Sequence, residues 1–173
     1  MQVELKVNDK SVRVEMTEKQ LKELGLIEEQ RTGYERVEVE ETYYLVDVDD
    51  EITNMKHNGQ LDRDCYDVGN YYSNKTIAEN NARADRLLRQ LRQWQALNDK
   101  SISEKDWNDE SKKKWFVAYS YGAEKLYADY YYIMRLPNTI HFATKEKAEE
   151  AIEVFRDELI WYFVEYQQRL DEE

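Results

Sequence analysis

The sequence predicts an α+β protein: an antiparallel β-sheet with a short N-terminal helix and two long helices packed on it. Apolar residues alternate with polar ones in the opening stretch, the spacing changes to three and four residues near Asn74 and again near Thr144, and only five Gly and one Pro interrupt 173 residues. Period two builds half-buried strands, period 3.6 builds amphipathic helices, and scarce breakers mean regular elements joined by short turns.

Val3, Leu5 and Val7, then Asn8-Asp9-Lys10, then Val12, Val14 and Met16 read as a β-hairpin. Thr17 and Gln20 fit a capping box, and Gly25 followed by Leu26 fits a left-handed stop with Leu26 folded back on Leu21, so a helix is expected over 18–24. Stretches 34–39 and 42–48 are rich in β-branched and aromatic residues and predict a second strand pair, with Asp49-Asp50 turning into a third strand near Ile52. From the N-cap residue Asn74, the positions Ile77, Ala84, Leu88, Leu91 and Trp94 mark a helix to Leu97. The polar stretch 98–112 reads as the main connecting loop. Strands follow at 115–121 and 126–135 around Gly122, Pro137-Asn138 makes a turn, and 139–142 is a short strand. Thr144 caps a final helix over 144–170, whose buried stripe is Ala148, Ile152, Phe155, Leu159, Tyr162, Phe163 and Tyr166.

One domain over 1–173 is expected, divisible into a hairpin-helix at 1–33, a first sheet-helix unit at 34–97 and a second at 113–173. Tyr71-Tyr72-Ser73-Asn74-Lys75 aligns with His141-Phe142-Ala143-Thr144-Lys145, an aromatic strand end followed by a polar cap and a lysine. That is the pattern of a weak internal duplication, and equally the pattern of any strand entering a capped helix; both readings stay open.

The apolar and aromatic contents, 41% and 13%, support a folded core despite the high charge. The single Cys65 forms no internal disulfide, the N-terminus has no basic-then-apolar leader and no apolar run is long enough for a membrane span, so a cytoplasmic protein is expected. The net charge of −12 is uneven: −7 over 1–50, −2 over 51–70, +3 over 71–114 and −6 over 115–173. Such a balance repels a nucleic-acid backbone over most of the surface and favours basic protein partners.

No catalytic constellation emerges, and neither a cofactor nor a metal is expected. His57 reads as a solvated loop residue and His141 as a sheet residue, and neither belongs to a two-histidine helical motif. Asp47, Asp49, Asp62 and Asp64 offer oxygen ligands for a metal-assisted enzyme, but the sixth loop position after Asp47 is Ile52 and not glycine, which fails the EF-hand pattern. Arg83, Arg86, Arg89 and Arg92 recur every three residues as a basic ridge on the first long helix, either a solvated face paired with acids or a contact for an anion. Tyrosines crowd 119–132, and alternation along a strand turns some of them outward.

Leu21-Lys22-Glu23-Leu24-Gly25-Leu26, Gly33-Tyr34-Glu35-Arg36-Val37, Tyr43-Tyr44-Leu45-Val46-Asp47, Gly69-Asn70-Tyr71-Tyr72 and Ile140-His141-Phe142-Ala143-Thr144 resemble segments of small acidic proteins encoded by phages and prophages of Gram-positive bacteria. The group is similar in size and charge to anti-CRISPR and other anti-defence proteins. That resemblance implies a non-enzymatic inhibitor acting in the bacterial host cell on a defence nuclease, above all a CRISPR effector. Such enzymes hold nucleic acid in basic channels where a folded acidic surface can replace phosphate. The expected contact is Asp47, Asp49, Asp50, Glu51, Asp62, Asp64 and Asp67, with Tyr121 and Tyr127 as apolar anchors. The alternatives are a nucleic-acid or nucleotide-binding accessory protein using the Arg83, Arg86, Arg89 and Arg92 ridge, and a structural accessory protein.

Overall fold

The computed structural model describes residues 2–7, 10–17, 20–21, 24–25 and 31–172. It is an α+β fold of three antiparallel hairpins and helices: β1 (Gln2–Val7), β2 (Lys10–Glu15), β3 (Thr42–Val46), β4 (Ile52–Lys56), α1 (Gln60–Asp67), α2 (Lys75–Asn98), α3 (Glu104–Trp107), β5 (Lys114–Ser120), β6 (Lys125–Tyr131), α4 (Lys145–Val154) and α5 (Arg156–Val164). β1 pairs β2 with Val3 opposite Val14 and Leu5 opposite Val12, as period two requires. The Thr17–Gln20 capping contacts are present, Leu21 is buried and Gly25 takes φ 64°. The rest of the expected 18–24 helix, and Leu26, lie outside the described residues.

The two longer units repeat one design. In the first, β3 pairs β4 with Tyr43 opposite Met55, and Tyr44 then exchanges both backbone hydrogen bonds with Tyr72. In the second, β5 pairs β6 with Trp115 opposite Tyr130, and Trp115 exchanges both with Phe142. Two residues after each bridge a polar side chain caps a helix: Asn74 accepts from the Ile77 N–H at 3.1 Å and Thr144 from the Lys147 N–H at 3.3 Å. Ala78 and Ala148, in matching first turns, are both fully buried. The aligned segments therefore occupy equivalent places.

α2 is the shared spine. Its first turns bury Ile77 and Ala78 against Tyr34, Tyr44, Val46 and Ile52 of the first unit. Its later turns bury Leu87 and Leu91 against Phe142, Ala148, Ala151 and Leu159 of the second. Burying side chains of this size contributes roughly 1.5–3 kcal/mol each, which exceeds anything the surface ion pairs supply. The segment after α5 returns to the first unit: the Tyr166 hydroxyl donates to Asn81, Asn81 donates to the Tyr34 hydroxyl, and the Leu170 N–H donates to the Thr32 carbonyl.

Several expected boundaries move. Residues 34–39 form no ladder, because side chains take their backbone groups: the Val37 N–H donates to the Tyr71 hydroxyl and the Glu38 N–H to Glu41. β3 pairs instead with the strand at Ile52. Residues 139–142 contribute only the single bridge at Phe142, and β6 stops at Tyr131. The long terminal helix breaks at Phe155 (φ −111°, ψ 20°) and ends at Val164, so Trp161 joins the core while Phe155, Tyr162, Phe163 and Tyr166 are only half-buried.

Candidate functional site

The β3–β4 turn carries the densest acidic run. It is closed by Asp47 N–H to the Glu51 carbonyl at 2.8 Å and Asp50 N–H to the Asp47 carbonyl at 3.0 Å, with Asp50 at φ 65°. The Asp47 and Asp49 carboxylates brace the turn by accepting from the Val48 and Glu51 N–H groups, and Asp47, Asp49 and Glu51 stay exposed. Val48 at the apex is fully exposed. Asn70 bonds both the N–H and the carbonyl of Val46, which lays the end of α1 against the base of this turn. Asp64 and Asp67 are exposed on α1, and none of these five carboxylates has a cationic partner among the described residues.

Two of the expected contact residues leave that surface. Asp50 folds back on α2, where Arg86 Nε reaches it at 3.1 Å and Arg89 at 2.5 Å. Partial burial would raise its carboxyl, but the two guanidinium groups outweigh this and hold it low. Asp62 is only 4% exposed: it accepts from the Tyr43 hydroxyl at 2.7 Å and from the Asn58 and Gly59 N–H groups, with His57 Nδ1 at 3.8 Å. The Tyr43 hydrogen bond, then the two amides, keep the Asp62 carboxyl below its usual range despite desolvation. Asp62 caps the start of α1 and closes the first core. His57 is correspondingly no solvated loop residue, since its ring packs edge-on to Tyr43 and Tyr71.

The basic ridge is largely neutralised. Arg83 makes a two-pronged pair with Glu158 of α5 at 2.8 and 2.9 Å and lies 4.0 Å over the Trp161 ring, while Arg86 and Arg89 are held by Asp50. Arg92 alone of the four has no acidic partner among the described residues. Three paired arginines leave little net charge for a nucleic-acid backbone.

Tyr121 and Tyr127 sit on the β5–β6 hairpin, a different element from the acidic turn. Tyr121 is 70% exposed with its hydroxyl donating to the Phe163 carbonyl, and Tyr127 is 37% exposed. The apolar residues that accompany the acidic face are others: Val48, Leu61, Tyr66 and Val68, all exposed, with Arg36 stacked 4.4 Å over Tyr66. The patterning above predicts no helix at α1, though Leu61, Cys65 and Val68 follow helical spacing and Asp62 stands where a helix start wants a carboxylate.

Elsewhere, Lys114 is buried with its ammonium donating to the Asp109 and Tyr132 carbonyls, and His141 is buried beside Trp107. Among the described residues no group of three or more His, Cys, Asp or Glu side chains is placed to hold a metal ion, and no helix is long and apolar enough to cross a membrane. Comparison with family models, with curated proteins and with solved structures finds no match to this chain.

Proposed function

We propose that the protein is a non-enzymatic, phage-encoded inhibitor that binds the basic nucleic-acid site of a bacterial defence nuclease, a CRISPR effector foremost, through the acidic face of its first unit. The observation that carries this reading is the set of exposed carboxylates without cationic partners among the described residues, Asp47, Asp49, Glu51, Asp64 and Asp67, on one hairpin turn and the helix tied to its base. Three acids of α4 behave differently: Glu149, Glu150 and Glu153 pair with Lys145, Lys147 and Arg156 one turn away. An unpaired carboxylate keeps its full charge for a partner, whereas a paired one must first give up its own cation. The backbone hydrogen bonds that fix the turn reduce the ordering cost of binding, and Val48, Leu61, Tyr66 and Val68 supply apolar area among the charges.

The experiment is expression in bacteria carrying a panel of CRISPR and restriction systems, with phage plaquing as readout and affinity capture of the partner. Restored plaquing in one system and recovery of its nuclease are expected. Full immunity across the panel with no nuclease recovered contradicts the reading.

A further inference from the structure

A cavity of about 420 Å³ opens in the second unit between the later turns of α2, the end of α5, β5 and the 136–140 segment. It reaches the buried side chains of Leu87, Phe142 and Leu159, and no charged side chain among the described residues lines it. The residues in its wall fix its place on β5. Successive side chains of a strand point to opposite faces, yet Phe116, Val117, Ala118 and Tyr119 all line the cavity, and no residue of β6 does. The cavity therefore runs along the edge of β5 that faces away from β6.

The first unit shows what such an edge requires. In an antiparallel ladder the N–H and C=O of one residue point to the same side, and the side alternates along the strand. Tyr44 and Trp115 turn both groups away from their hairpin partners, toward Tyr72 and Phe142. Val46 and Val117, two residues on, therefore turn theirs the same way. Asn70, two residues before Tyr72, answers Val46 with one side-chain amide: Oδ1 accepts from the Val46 N–H at 2.7 Å and Nδ2 donates to its carbonyl at 2.8 Å. The residue two before Phe142 is Ile140, which lines the cavity and carries no amide side chain. The Val117 N–H and carbonyl have no hydrogen-bond partner on that edge among the described residues. A donor and an acceptor side by side thus stand in an otherwise apolar wall.

We propose that this cavity binds a small uncharged ligand whose carboxamide, or an equivalent lactam edge, pairs with the Val117 N–H and carbonyl as Asn70 pairs with Val46. A carboxylate has no donor for the carbonyl and brings a charge to a wall that holds no cation. A ketone or ester answers the N–H alone. An amide supplies donor and acceptor from one planar group. The rings of Phe116, Tyr119, Phe142, Tyr162 and Phe163 suit a flat aromatic body behind that group. Small-molecule sites have this volume and this make-up, apolar walls with a few placed polar groups that set the orientation. The site is separate from the acidic face and stands or falls without it.

The test uses the intact chain with benzamide as the probe and with acetophenone and benzoate as controls, followed by NMR of the backbone amides and by melting temperature. Benzamide is expected to shift the Val117 amide resonance, to slow its exchange with solvent and to leave Val46 in place. It should bind at least about threefold more tightly than acetophenone, which lacks the donor, and benzoate should not bind. Ile140→Asn, which sets the amide of the first unit opposite Val117, should slow Val117 exchange in the free chain and weaken benzamide binding at least about tenfold. An unmoved Val117 resonance, benzamide binding no tighter than that of acetophenone, or undiminished binding by the folded Ile140→Asn variant overturns the proposal. Because the resonance shift and the ligand comparison need no substitution, a variant that fails to fold leaves the test intact.

Discussion

In the first unit the residue before the bridge is Tyr71, whose hydroxyl accepts from the Val37 N–H at 3.1 Å and lies 3.3 Å from His57. In the second unit the aligned residue is His141, whose Nε2 has no hydrogen-bond partner among the described residues. The hairpin, the bridge, the polar cap and the buried first-turn alanine are common to both. What differs is the segment between hairpin and bridge. The first unit inserts α1, and Asp62 at its start gathers the Tyr43 hydroxyl and two amides; the second runs through 132–141 without a helix and leaves a cavity. A repeated scaffold can hold its hydrophobic packing constant while the inserted segment decides whether a buried polar position finds a protein partner.

The comparison can be broken by substitution. The largest effect is expected at Gly33, which holds φ +97° with a Cβ position only 2.7 Å from Ile77 Cγ1, and whose carbonyl accepts from the Ser73 N–H just after the first bridge. Gly33→Ala combines left-handed backbone strain with overpacking and should cost about 2–4 kcal/mol in denaturant unfolding. Asp62→Ala strands the Tyr43 hydroxyl and two amides and should cost about 3 kcal/mol, seen as a lower urea midpoint. His141→Phe is its counterpart in the second unit. It removes an unsatisfied acceptor and should change stability by less than about 1 kcal/mol. Equal losses from Asp62→Ala and His141→Phe would erase the distinction between a closed unit and an open one.

Acid sharpens the same contrast. Partial burial would raise the Glu35 carboxyl, but hydrogen bonds from the Thr32 hydroxyl and from the Thr32 and Gly33 amides hold it at about 2, against an ordinary 4.5. The folded state therefore binds fewer protons than the unfolded one between those values. The stabilisation is complete above pH 4.5 and is lost as pH falls toward 2, with Asp62 acting in the same direction. Urea midpoints measured down to pH 3 should fall steeply for the native sequence and less steeply for Glu35→Gln. The smallest effect belongs to Asp50→Asn, which releases Arg86 and Arg89 from an exposed pair and should cost under about 1 kcal/mol, and less at high salt.

Periodicity and caps made much of the fold legible in the sequence. Asn74 and Thr144 cap the helices assigned to them, and the repeat of aromatic strand end and polar cap corresponds to two equivalent bridges. The break at Phe155 was not legible, because the apolar stripe continues through it and only the change of buried face at Trp161 records the kink. α1 was hidden by its own charge: a short run dense in aspartate reads as a solvated turn unless one carboxylate is known to point inward. Of the site, the acidic turn and the arginine ridge were legible as charge patterns, but their mutual neutralisation through Asp50 was not. That pairing joins residues from distant parts of the chain, which no local spacing encodes.

The proposed function places the partner contact on the exposed carboxylates of the β3–β4 turn and α1, apart from the paired acids of α4. Two variants with equal loss of negative charge separate these surfaces, Asp47→Asn with Asp49→Asn and Glu51→Gln in one, and Glu149→Gln with Glu150→Gln and Glu153→Gln in the other. Each is assayed for partner capture and for protection of phage plaquing. The first variant should lose both activities while the second retains them. Equal loss in both, which would mean that net charge alone matters, or loss only in the second, would contradict the account.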